Sequence, residues 1–205
     1  MALQTRKKLD VFYPDSDGQP MGETPRRVRT ILDSYEILDF WFRDRRDVFV
    51  AANMFLYYVR GDRHKHVSPD VFVVKGIPKI KVPERRSYRL WEEGKGPSAV
   101  LEITSATTWD EDAEDKFTLY QDVLHVGEYF LFDPYLENLK TGLVGYRLLR
   151  GKYQQIKLVQ GRLPSKVLDL HLENDHGALR FFNPAARQYL PTIREALEKY
   201  RGKTE

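Results

Sequence analysis

The order of apolar runs constrains this chain most. Val48–Val59, Val67–Val74, Ser98–Thr104 and Glu128–Phe132 are short and rich in β-branched and aromatic residues. Runs of this kind read as strands rather than helices. Between and around them lie segments with a helical period. In Ile31–Arg46, Ile31, Tyr35, Leu38 and Phe42 recur at spacings of three and four. Arg85–Glu93 predicts a short helix with Tyr88 and Trp91 on one face, ended by Gly94 and Gly96. Asp110–Leu124 predicts another, and Pro184–Tyr200 a terminal one, with Asn183 as its cap and Pro184 at its first position. Gly145–Leu149 and Tyr153–Val159 bracket Arg150-Gly151-Lys152, a hairpin signal, and Leu163–Leu172 includes a further strand. The order helix, strand, strand, strand, helix, strand, then a β-rich tail, predicts an α/β (α+β) fold. It is a mixed sheet flanked by helices, with a β-rich C-terminal extension.

At 205 residues the chain suits one domain that buries its own core. Residues 1–30 read as an N-terminal arm, because Pro14, Pro20 and Pro25 break any period between basic Arg6-Lys7-Lys8 and Arg26-Arg27. Residues 31–205 form the single domain. With no cysteine, thiol nucleophiles, disulfides and Cys-ligated metals are excluded. The longest apolar stretch, Val48–Val59, is interrupted by Asn53 and too short to span a membrane. The opening MALQTRKKLD has no apolar core of a signal peptide. A cytoplasmic protein with no membrane partner is expected. The net charge of +3 permits a nucleic-acid partner without arguing for one.

Three residues carry chemistry. Asp70 follows Pro69 on one strand, Glu102 interrupts the apolar strand Ser98–Thr104, and Lys116 lies on the helix after it. A carboxylate in a central strand is costly to bury unless its charge is compensated. Two on adjacent strands repel, and a hard divalent cation such as Mg²⁺ or Mn²⁺ relieves that. Asp112, Lys116 and Tyr120 follow one another at i, i+4 and i+8 and share a helix face. Helical side chains lean toward the helix N-terminus, which aims Lys116 back at the strand end carrying Glu102. Such a set suits phosphodiester hydrolysis. Each residue also has a plainer reading. Asp70 would close a turn after Pro69, and Glu102 would pair with an arginine. Lys116 would be a surface partner of Asp112 worth about 0.3–0.5 kcal/mol. Glu36 is a weak further acidic candidate. His64 and His66 lack the third ligand a zinc site needs.

Pro69-Asp70 followed by Glu102 in VLEITS resembles the PD-(D/E)XK nuclease superfamily. A longer ordered set is more specific. Ser87–Lys95 (SYRLWEEGK), LEITS, Asp112…Lys116…Tyr120 and Glu128–Pro134 (EYFLFDP) together resemble the Uma-type restriction endonuclease family, carried as a domain of unknown function. The resemblance covers most of the chain, from Leu9 to about Leu172. It implies a restriction-endonuclease-like fold and Mg²⁺- or Mn²⁺-dependent cleavage of DNA, with Asp70 and Glu102 as metal ligands. The superfamily lysine usually stands two residues after the glutamate, where this chain has Thr104. The Uma-type pattern supplies it from the following helix, at Lys116. A homodimer is expected by analogy alone. The competing expectation is a catalytically inactive nuclease-fold module that binds DNA or protein, and RNA or branched DNA are further candidate substrates.

Overall fold

The structure, a computed structural model, describes residues 11–14, 24–80, 84–105 and 108–202. Much of the expected arm, Arg6-Lys7-Lys8 included, therefore lies outside the described residues. Its described piece, residues 11–14, is packed. The Tyr57 hydroxyl donates to the Pro14 carbonyl at 2.5 Å, and the Tyr13 ring sits 5.0 Å from that of Trp91.

Helix α1 (Pro25–Trp41) starts six residues before the expected Ile31 and stops short of Arg46. Its signal is local. Thr24 accepts from the Arg27 amide, and Pro25 fills the first position, where a missing N–H costs nothing. The first turn, Pro25-Arg26-Arg27-Val28, holds a proline, two arginines and a single valine, too few apolar residues for periodicity to register it. Ile31, Ser34, Ile37 and Leu38 form its buried face.

The main sheet has six strands: β1 (Val48–Ala52), β4 (Val71–Lys75), β6 (Ala99–Ile103), β7 (Glu128–Phe132), β8 (Leu143–Leu149) and β9 (Lys152–Gln155), in spatial order β1-β4-β6-β7-β8-β9. Only β6 and β7 run parallel, so the sheet is mixed, as expected. The predicted strand Val48–Val59 is broken. Asn53 adopts φ +49, and its amide donates to the Pro69 and Asp70 carbonyls at 3.1 and 3.2 Å. Asparagine tolerates this left-handed conformation better than β-branched residues do. The chain then turns into β2 (Leu56–Tyr57), which joins β3 (His66–Val67) and β5 (Tyr88–Arg89) in a small sheet. The run Val67–Val74 is split likewise, with Pro69 between β3 and β4. The short helix α2 covers only Leu90–Glu93 and ends at Gly94, whose φ is +72. At the β8–β9 turn, Arg150 and Gly151 both have positive φ, the requirement of a two-residue hairpin.

The sheet separates two apolar layers by strand alternation. Val71, Val73, Leu101, Ile103, Phe130 and Phe132 face α1 and the C-terminal strands. Phe72, Val74, Val100, Tyr129 and Leu131 face the small sheet and the β6–β7 connection. The C-terminal extension is a four-stranded antiparallel sheet of β10 (Leu163–Ser165), β11 (Leu170–Asp175), β12 (Ala178–Asn183) and β13 (Gln188–Tyr189). The buried Glu128 carboxylate joins it to the main sheet, accepting from Ser165 Oγ, the Lys166 and Val167 amides, and Arg147 Nε at 2.7 Å. The expected helix from Pro184 is corrected. The Asn183 side chain accepts from the Ala185 and Ala186 amides, a turn that leads into β13 rather than a helix cap. The final helix α3 is shorter, Ile193–Arg201, and is opened by a capping box of Thr192 and Glu195.

Candidate metal centre

Register brings the first two residues together. In the antiparallel pair β4–β6, Val71 stands opposite Leu101. Asp70 and Glu102 are therefore opposite one step beyond, on the face that carries Phe72 and Val100. Backbone amides hold both carboxylates. The Ile103 amide donates to Asp70 Oδ2 at 2.7 Å, and the Asp70 amide donates to Glu102 Oε2 at 3.2 Å. Both residues are buried.

The third residue comes from the parallel crossover between β6 and β7. This connection is helical from Trp109, but Glu111–Lys116 and Leu119–Val123 are wound as π-helix rather than the expected α-helix. Widened turns of this kind recur at functional sites, and nothing in residue spacing announces them. The Tyr120 hydroxyl donates to Glu102 Oε1 at 2.6 Å. Lys116 Nζ lies 3.3 Å from Glu102 Oε2 and 2.8 Å from Asp112 Oδ1. Asp112 is fully buried, and its only close cation is Lys116 among the described residues.

A fourth group enters from α1. Arg27 Nη2 donates to Asp70 Oδ1 and Oδ2 at 2.8 and 3.0 Å, and its Nε donates to the Ile103 carbonyl at 2.7 Å. Its neighbour Arg26 pins the start of α1, donating to the Pro134 carbonyl at 2.9 Å beneath the Tyr135 ring.

The cluster thus holds three carboxyl groups, Asp70, Glu102 and Asp112, against two cations, Arg27 and Lys116. Burial pushes the Glu102 carboxyl up to about 8, aided by Asp70 and Asp112 and opposed by Lys116. Burial also raises Asp70, against the pull of Arg27. Burial alone would lower Lys116, but Glu102 and Asp112 outweigh it and hold its ammonium above the ordinary lysine range. Lys116 is therefore a fixed positive charge and no proton acceptor.

The structure thus places Asp70, Glu102 and Lys116 in one cluster. Thr104, where the commoner lysine would stand, is buried, and its hydroxyl donates to the Ser105 carbonyl at 3.4 Å. Glu36 is exposed on α1 and takes no part. His66 packs its ring 4.6 Å from that of Phe55, beside exposed His64, and neither joins the cluster. Sequence reasoning missed Arg27, because it lies in a segment without period. The Thr24-Pro25 helix start was the signal that could have placed it. Asp112 was expected only to share a helix face with Lys116 and Tyr120, and the structure buries it against the ammonium.

Among the described residues, no three His, Asp or Glu side chains stand ready as a metal cage. The donor set nonetheless fits a hard cation. The Asp70 carboxylate and the Ile103 carbonyl already bind one positive group together, and Glu102 is braced beside them. Also among the described residues, no helix is long and apolar enough to cross a membrane.

Comparison with known proteins agrees with this architecture. The crystal structure of "a putative nuclease belonging to DUF820" from Anabaena variabilis ATCC 29413 superposes with a TM-score of 0.54 at 14% identity, over 75% of this chain and 80% of that one. At that identity the likeness is one of fold. No curated protein matches the chain. The family profile described as "Putative restriction endonuclease" matches residues 13–175, and the chain belongs to this family, Uma2.

Proposed function

We propose that this protein is a divalent-metal-dependent endonuclease that hydrolyses DNA phosphodiester bonds. The observation that carries the reading is the meeting of Asp70, Glu102, the Ile103 carbonyl and Lys116 in one cluster, in a chain of the Uma2 family. Asp70, Glu102 and the Ile103 carbonyl would hold Mg²⁺ or Mn²⁺. When bound, the ion supplies Lewis acidity to a phosphate oxygen and lowers the pKa of a bound water.

The chain's own residues do the rest. Lys116 holds a permanent positive charge beside Glu102, where it orients an attacking water and offsets charge growing on the phosphorus centre. Asp112 fixes the ammonium at 2.8 Å, so that little reorganisation is needed as the charge develops. The Tyr120 hydroxyl sets the orientation of Glu102 from behind. A homodimer, with one site for each DNA strand, and a cytoplasmic location complete the proposal.

The test is nicking of supercoiled plasmid in Mg²⁺ or Mn²⁺, beside Glu102→Gln and Asp70→Asn. Metal-dependent nicking by the native chain, lost in both variants, is the expected result. Calorimetric titration of Asp70→Asn with Mn²⁺ is expected to show weakened binding. A native protein that binds metal but cleaves no DNA, RNA or branched substrate would instead make it a nuclease-fold binding module.

A further inference from the structure

We infer that Arg27 is an internal placeholder for the metal: its guanidinium occupies the position between Asp70 and the Ile103 carbonyl, and a divalent ion enters by displacing it. The inference rests on the proposed reading of those two groups as ligands.

The contacts are those a competitor would make. Arg27 uses both Asp70 oxygens and the Ile103 carbonyl at once, at 2.7 to 3.0 Å. Both Asp70 contacts come from one nitrogen, Nη2, while Nε takes the Ile103 carbonyl, so one planar guanidinium bridges the two acceptors. A metal ion needs the same lone pairs, so the two occupants exclude each other.

Arg27 is also not placed for the benefit of its own helix. It lies in the first turn of α1, where the positive end of the helix dipole disfavours a cation, and that turn has no acidic residue. What holds the guanidinium there is the pocket. Its side chain reaches the ligands from a different element than the rest of the cluster. The helix start is pinned independently by Thr24 and Arg26, so the side chain can leave without moving α1. It is 12% exposed, which gives it a way out.

The consequence is a site that is stable without metal and reluctant to take it. With Arg27 in place on Asp70 and Lys116 beside Glu102, neither carboxyl group is left as uncompensated buried charge. Metal binding then has to replace an existing charge-assisted contact, which raises the metal concentration at which the site fills.

Titration of Mn²⁺ alone by calorimetry, with melting curves with and without the ion, tests this on native protein, Arg27→Gln and Arg27→Lys. Arg27→Gln is expected to bind Mn²⁺ about tenfold more tightly than the native chain, because one charge-assisted contact no longer has to be broken. It is expected to melt lower without metal and to gain more from metal. Arg27→Lys, which keeps the charge but not the guanidinium that bridges Asp70 and the Ile103 carbonyl, should fall between and serves if the glutamine variant does not fold. Equal or weaker Mn²⁺ affinity in folded variants would overturn the placeholder and leave Asp70 as a ligand. No Mn²⁺ binding by any of the three proteins would overturn both.

Discussion

Asp70 and Glu102 brace each other through their strands. The Asp70 amide donates to the Glu102 carboxylate, while the amide after Glu102 donates to the Asp70 carboxylate. Each carboxyl group is thus oriented by the backbone that carries the other. A slip of one residue between β4 and β6 would put the two side chains on opposite faces of the sheet. The geometry of the cluster is therefore a property of sheet register before it is one of side-chain rotamers.

Lys116→Met removes the ammonium between Glu102 and Asp112. On the proposed mechanism, kcat for nicking is expected to fall by about 10²–10³-fold, the usual cost of losing one preorganised electrostatic group. Lys116→Arg keeps the charge and should retain more stability than Lys116→Met in thermal melts. Unchanged nicking by the methionine variant would remove the lysine from the mechanism.

Glu102 makes stability depend on pH in a definite direction. Its carboxyl ionises near 8 in the folded chain, against an ordinary value of 4.5. Between those values the native state holds a proton that the unfolded chain has released, so this group's contribution falls as pH rises. Glu102→Gln mimics the protonated form and lacks the penalty. The melting temperature of Glu102→Gln relative to the native chain is expected to rise from pH 5 to pH 8 without metal. A flat difference would show that the folded carboxyl ionises normally.

Glu128 ties the extension to the main sheet, and Arg147 is its charged partner. Arg147→Met leaves this buried carboxylate with neutral donors only. A destabilisation of about 1–3 kcal/mol is expected in urea unfolding. Glu128→Gln in the same background should recover part of the loss.

Asn53 is held at positive φ just where β1 leaves the main sheet. Asn53→Gly should be near neutral, whereas Asn53→Val should cost about 1–3 kcal/mol by chemical denaturation. Because the Asn53 amide bonds the Pro69 and Asp70 carbonyls, the valine variant should also weaken Mn²⁺ binding.

Much of this architecture was legible before any coordinates. Glu128–Phe132 is a strand at the residues its apolar pattern marks, and the β8–β9 hairpin follows from Arg150-Gly151. Strand alternation puts Asp70 on the face of Phe72 and Glu102 on that of Val100, but their meeting needs the β4–β6 register, and Lys116 reaches them from a π-helical turn. What was hidden depends on tertiary contacts. Whether the run through Asn53 stays in one sheet depends on the Pro69 carbonyl, which is distant in sequence. Asn183 is equally suited to start a helix or a turn, and here its side chain closes a turn. Arg27 reaches Asp70 across 43 residues of chain, and no spacing rule spans that gap. The π-helical winding of Glu111–Lys116 and Leu119–Val123 likewise follows from no pattern of residue types.

The aromatic wall behind the cluster decides from which side anything can arrive. Tyr120 packs against Tyr129, whose hydroxyl bonds the Asp112 carbonyl, and Tyr153 stacks behind them. Of the five charged side chains, Arg27 and Lys116 are each 12% exposed, while Asp70 is 5% and Glu102 and Asp112 are 0%. On the proposed function, a nucleic-acid strand would reach Arg27 and Lys116, with the exposed Glu111 carboxylate 3.9 Å from the lysine, before the buried carboxyl groups. On that reading the three buried carboxyl groups would act only on a phosphate that has already passed the two cations.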